Sequence, residues 1–135
     1  MTSLQPIRTA RASVAIVNAY VVPVAGAPIE RGTVLVEDGV ITAVGPDVVV
    51  PGEVRILDAG GRWVLPGFVE AHGHLGVHEE GEGWAGDDVN EMTDPNGAGL
   101  RAIDGVNIDE EGFRDALAGG VTSVVVKPGS GNPIG

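Results

Sequence analysis

The sequence has no cysteine and a single lysine, Lys127. Without cysteine there is no disulfide, no thiolate metal site and no cysteine nucleophile. Lys and Arg together number 8 against 19 Asp and Glu, a formal net charge of −11. Binding nucleic acid needs clustered cations on the phosphates, so a nucleic-acid partner is excluded. No apolar run is long enough to span a bilayer, and Met1 to Ser13 is not followed by the apolar core of a signal peptide. The expectation is a cytoplasmic chain with no membrane partner.

What the sequence does have is glycine, 22 residues of 135, within an apolar fraction of 43%. The glycines fall at turns rather than in a repeat, and valine dominates the β-branched residues, which favours strands joined by tight loops. Ala12 to Val22 reads as a strand ending at Pro23. Thr33 to Glu37 and Val40 to Val44 flank Asp38-Gly39, a pair suited to a two-residue hairpin turn, so these runs should pair antiparallel. Val54 to Asp58 is a further strand, with Gly60-Gly61 a turn. The first sixty or so residues thus read as a small antiparallel β-unit, which needs a covering layer to be stable.

The apolar run from Val64, V-L-P-G-F-V-E-A-H-G-H-L, reads as a buried strand. Side chains alternate along a strand, so His72 and His74 share a face with Phe68 and Glu70. Two imidazoles so placed can hold one metal ion. The alternative is a hydrogen-bonded structural pair, since two ligands fall short of a complete site. A glycine-rich loop follows, which puts the histidines at the strand's C-terminal end, where α/β barrels and open parallel sheets carry their active sites.

Gly76 to Val106 shows no helical or alternating pattern. Loops this long are functional lids or are disordered. Its carboxylates are expected to be mostly solvated. His78 either lines a pocket or reaches a metal, or else faces solvent; Arg101 either grips a substrate carboxylate or pairs with Asp104 or another loop acid. Beyond it, Asn107 with Glu110 reads as a capping box for a helix, and Phe113, Ala116 and Leu117 form its apolar face. Gly119-Gly120 stop it, and Val121 to Val126 reads as a parallel strand buried on both faces. Strand, helix and strand make one βαβ unit.

The β-unit followed by P-G-F-V-E-A-H-G-H resembles the opening of the metal-dependent amidohydrolase superfamily. The segments H-L-G-V-H-E-E-G-E-G, N-E-M-T-D-P, L-R-A-I-D-G-V-N, A-G-G-V-T-S-V and P-G-S-G-N-P-I-G, in that order, resemble its imidazolonepropionase-related branch. The resemblance implies an α/β fold class. An N-terminal β-sandwich segment, the composite domain, covers residues 1–63, and the first βαβ unit of an incomplete (β/α)8 TIM barrel covers residues 64–135. It also implies that His72 and His74 are metal ligands, with zinc or another divalent metal, one or two ions, as the cofactor. The family's lysine or glutamate ligand, later histidines and proton-shuttling aspartate have no counterpart in this sequence. Lys127 follows the second strand rather than the fourth and reads as structural or pocket-lining. Glu70 stands where the family commonly has Asp.

A complete barrel takes about 250 residues, so the expected function is that of the N-terminal portion of a hydrolase. It would act on non-peptide C–N bonds of a small-molecule substrate and be inactive as an isolated chain. The alternative is a non-catalytic β-rich binding module or pseudoenzyme remnant. An open strand edge at Val121 to Val126 makes a complementary C-terminal fragment or a second copy of the chain the expected protein partner.

Overall fold

The computed structural model describes residues 13–133; residues 1–11, which are polar and expected to be loose, lie outside them. The chain is mixed α/β and strand-rich, with one α-helix among the described residues. It divides into two compact units, residues 1–66 and 67–135.

In the first unit, β1 (Val14–Val21), β2 (Ile29–Glu37), β3 (Val40–Gly45) and β4 (Arg55–Asp58) lie in the order β3-β2-β1-β4. The short β5 (Trp63–Val64) also pairs with β1. The hairpin is as expected: Asp38 (φ 51°) and Gly39 (φ 80°) both take the positive φ of a type I′ turn, and β2 pairs antiparallel with β3. The wholly antiparallel unit is not what forms. β1 is antiparallel to β2 but parallel to both β4 and β5, so the sheet is mixed.

β1 changes parallel neighbour at Asn18, which has φ 52° and interrupts the β1–β2 register. Before it, Val14 to Val17 pair with β4; after it, Tyr20 and Val21 pair with β5. The Asn18 carbonyl accepts from Gly61 N at 2.7 Å, and its amide donates to Asp58 Oδ1 at 3.1 Å, so the Gly60-Gly61 turn is tied to the break. Ala19, Val21, Val34 and Ala59 form the core, with Ile16, Ile29, Val36 and Val64 packed on it.

The run expected as one strand from Val64 is therefore two. Trp63–Val64 belongs to the first sheet, and Pro66-Gly67 separates it from β6 (Phe68–Gly73) in the second unit. There β6 pairs in parallel with β7 (Val121–Val126), and α1 (Glu111–Ala118) connects them and packs on β7. The expected burial of these strands is corrected. β6 is exposed over Phe68 to His72, and β7 is half-buried at Val121, Val124 and Val126 and exposed between them; among the described residues each strand pairs only with the other. The helix start is also corrected: Glu110, not Asn107, is the cap, accepting from Gly112 N at 2.8 Å. Asn107 instead orders the approach, accepting from Asp109 N. The helix ends on Gly119, and Gly120 at φ 90° turns the chain into β7.

The long loop carries two short 3-10 turns, Gly83–Gly86 and Ala102–Gly105. Backbone bonds fold it on itself: His78 N to His74 O, Glu79 N to Gly86 O, Asp88 N to Val77 O and Asn107 N to Gly76 O, each 2.8 Å.

Candidate functional site

His72 is the penultimate residue of β6 and His74 lies just past its end, so one strand delivers both. Their ring centroids are 5.4 Å apart with planes at 89°, edge to face. The His72 backbone N–H donates to Glu70 Oε1 at 3.0 Å, so Glu70 braces the strand end.

His74 has the more informative partner. Its Nδ1 lies 2.7 Å from the carbonyl oxygen of Lys127, the residue after β7. A carbonyl can only accept, so Nδ1 carries the proton of this bond; in the neutral ring the lone pair is then on Nε2, the form in which a histidine binds a metal. The Lys127 N–H donates back to Gly73 O at 2.8 Å, which closes the β6–β7 junction beneath the ring. Lys127 thus contributes through its backbone.

A further ligand does not join this pair. Among the described residues no three His, Asp or Glu side chains gather as a metal-holding group. His78, one of the residues singled out in the sequence, is exposed, and its Nδ1 pairs with Asp87 Oδ1 at 3.2 Å. Arg101 makes a two-pronged contact with Asp104, at 3.0 and 2.7 Å. That contact holds the Asp104 carboxyl below its usual range and raises the guanidinium. Arg101 and Asp104 nevertheless border a cavity of about 310 Å³ shared with Asp88, Asn90, Glu91 and Pro128. The Glu91 carboxylate is held down by the Thr93 hydroxyl, then by the Thr93 and Asp94 N–H groups, so it locks its own turn.

Two residues with a part in this unit were not legible as such. Asn90 sits in a loop with no periodicity, and Glu110 reads as the far end of a capping box rather than the cap itself. Glu110 is buried, and its Oε1 accepts from Glu80 N (3.2 Å) as well as Gly112 N, which ties the loop to the helix start.

No protein-family model matches the chain. An amidohydrolase crystal structure from Thermotoga maritima aligns with a TM-score of 0.82 at 43% identity, over 89% of this chain and 31% of that one. The chain is an amidohydrolase relative. The amidohydrolase tasK of Hapsidospora irregularis is 40% identical over 107 residues, 77% of this chain and 11% of its own. The imidazolonepropionase of Salinispora arenicola is 36% identical over 118 residues, 75% of this chain and 28% of its own. This amidohydrolase relative therefore spans less than a third of each of these proteins, and the resemblance carried by its motifs is borne out. Among the described residues no helix is long and apolar enough to cross a membrane.

Proposed function

We propose that this chain is the N-terminal portion of a metal-dependent hydrolase acting on non-peptide C–N bonds, such as an amide, imide or cyclic amide. Residues 1–63 would form a composite β-domain of sandwich type, and residues 64–135 the beginning of a (β/α)8 barrel. The reading is carried by His74: a ring at a strand's C-terminal end, beside a second imidazole, with its Nδ1 spent on the Lys127 carbonyl.

The donor set fits zinc or a similar divalent ion in part. His72 and His74 would hold it, and the remaining ligands would come from outside the described residues, since catalytic zinc typically uses about three protein ligands plus a water. When bound, the ion supplies Lewis acidity and an activated water for attack on the carbonyl. The chain's own residues position that chemistry. Glu70 braces the backbone of His72, Lys127 fixes the His74 tautomer, and the cavity beside Arg101 offers a place for a polar part of a small substrate. A complementary C-terminal segment or a second copy would be the protein partner, and the isolated chain would be inactive.

The test is to express the chain together with the coding sequence that follows it and assay cyclic amides and imides, with chelation and zinc add-back. Turnover should require metal and fall by at least about 100-fold in His72→Ala or His74→Ala, since even outer-sphere changes cost 10- to 100-fold. Undiminished turnover in both variants would remove the two histidines from the site and the proposal with them.

A further inference from the structure

We infer that Asn90 is a positioning residue for His74, acting through the loop that follows β7. The inference rests on the metal-ligand reading of His74 but concerns a residue and a contact outside it. Two sequence segments far apart in the chain, N-E-M-T-D-P from Asn90 and P-G-S-G-N from Pro128, meet here. Asn90 Oδ1 accepts from Gly131 N at 3.0 Å, and one residue earlier the Val89 carbonyl accepts from Gly129 N at 2.7 Å. At the far side Asn132 donates its amide to the Asp94 carbonyl at 3.4 Å.

The approach is close, and a side chain at either glycine would have to displace Asn90 or Val89. A Cβ at Gly131 would lie 2.7 Å from Asn90 Oδ1, and one at Gly129 would run into Asn90 and Val89. The loop is therefore seated on the Asn90 side chain and not merely near it. Its first residue is Lys127, whose carbonyl oxygen receives the His74 Nδ1 proton at 2.7 Å. On the upstream side Lys127 is held by its N–H on Gly73 O, at the last rung of a two-stranded sheet whose β6 residues Phe68 to His72 are exposed. Such a rung leaves the carbonyl's direction soft; the clamp at Gly129 and Gly131 removes that freedom. Asn90 thereby selects which nitrogen of His74 keeps the lone pair.

The test uses the full chain labelled with ¹⁵N and reads the imidazole nitrogens by long-range ¹H–¹⁵N correlation without metal. In the parent chain His74 should be the Nδ1–H tautomer. Asn90→Ala should shift it toward the Nε2–H form that free imidazole favours, and weaken Zn²⁺ binding about tenfold. Asn90→Asp, which keeps an acceptor for Gly131 N–H, should restore both readouts. Gly131→Ala attacks the same contact from the other side with Asn90 in place, and decides the matter alone if Asn90→Ala loses its dispersed amide spectrum. An unchanged His74 tautomer in the folded variants, or equal loss in Asn90→Asp, overturns the inference. If instead the tautomer responds as stated but no variant nor the parent binds Zn²⁺, the clamp stands and the ligand reading fails.

Discussion

In the first unit Ala15, Ala19, Val21, Val34, Leu35 and Ala59 are enclosed; in the second, among the described residues, Val77 is the one hydrophobic side chain as deeply buried, in company with the Glu110 carboxylate. Both units have hydrogen-bonded strands, but among the described residues only the first encloses a cluster of apolar side chains against them. The second is tied by individual polar contacts: Glu110 to the helix start and the loop, Asn90 to Gly131, His74 to Lys127. A buried aliphatic side chain contributes about 1.5–3 kcal/mol, against about 1 kcal/mol for an ordinary hydrogen bond. The unit that carries the histidines is thus built for placement more than for stability, and it should open first in native-state hydrogen exchange.

The sharpest way to break this contrast is to attack the apolar layer. Leu35→Ala, at a position 5% exposed, should destabilise the first unit by about 3 kcal/mol, within the range for truncating a buried leucine. Amide exchange across β1 and β2 measures it. A cost below about 1 kcal/mol would show that the core is not what holds this sheet.

Next in size is the polar tie of the second unit. Glu110→Ala leaves the Gly112 and Glu80 N–H groups without their acceptor and should cost about 2 kcal/mol, between the loss of a helix cap and of a charged hydrogen bond. The loss should appear in α1 and the adjoining loop while β1 to β3 exchange as before. Exchange rising equally in both units would erase the distinction between them.

A smaller effect belongs to the hairpin. Gly39 sits at φ 80°, where a Cβ costs about 1–2 kcal/mol. Gly39→Ala should lower the first unit's stability by about 1 kcal/mol, readable as a shift of its urea midpoint with an unchanged slope.

That hairpin was legible because its turn is local: two residues that tolerate positive φ between two β-rich runs determine it. The helix was legible for the same reason, through Phe113, Ala116, Leu117 and the glycines that end it. What the sequence did not disclose depends on partners distant in the chain. Nothing near Asn18 announces that β1 breaks there and takes β4 and β5 as parallel neighbours, since the partners lie about forty residues away. The split falls at Pro66-Gly67, a pair that marks a turn; what the sequence does not say is that the apolar residues on its two sides, Val64 and Phe68, serve different sheets. The histidine pair was visible from strand alternation alone. The Lys127 carbonyl that orients His74 could not be, because any residue supplies a carbonyl.

The last contrast is electrostatic and small. Asp58 in the first unit and Asp104 in the second both have carboxyls held below the usual value of 3.8. A depressed folded value means the carboxylate's contribution is complete above 3.8 and is lost as pH falls through the lower folded value. Acid should therefore loosen both turns, and Asp58→Asn and Asp104→Asn should each flatten the acid limb of their own unit's amide signals. The causes differ: Asp58 is held first by the Gly60 N–H and then by the Asn18 side chain, Asp104 by the Arg101 guanidinium. Salt screens an exposed ion pair but hardly touches a hydrogen bond from a neutral donor. Raising the ionic strength should erase most of the acid limb at Asp104 and leave that at Asp58 in place; equal screening at both would mean that Asp58, too, is held by charge, with Arg62 as its source.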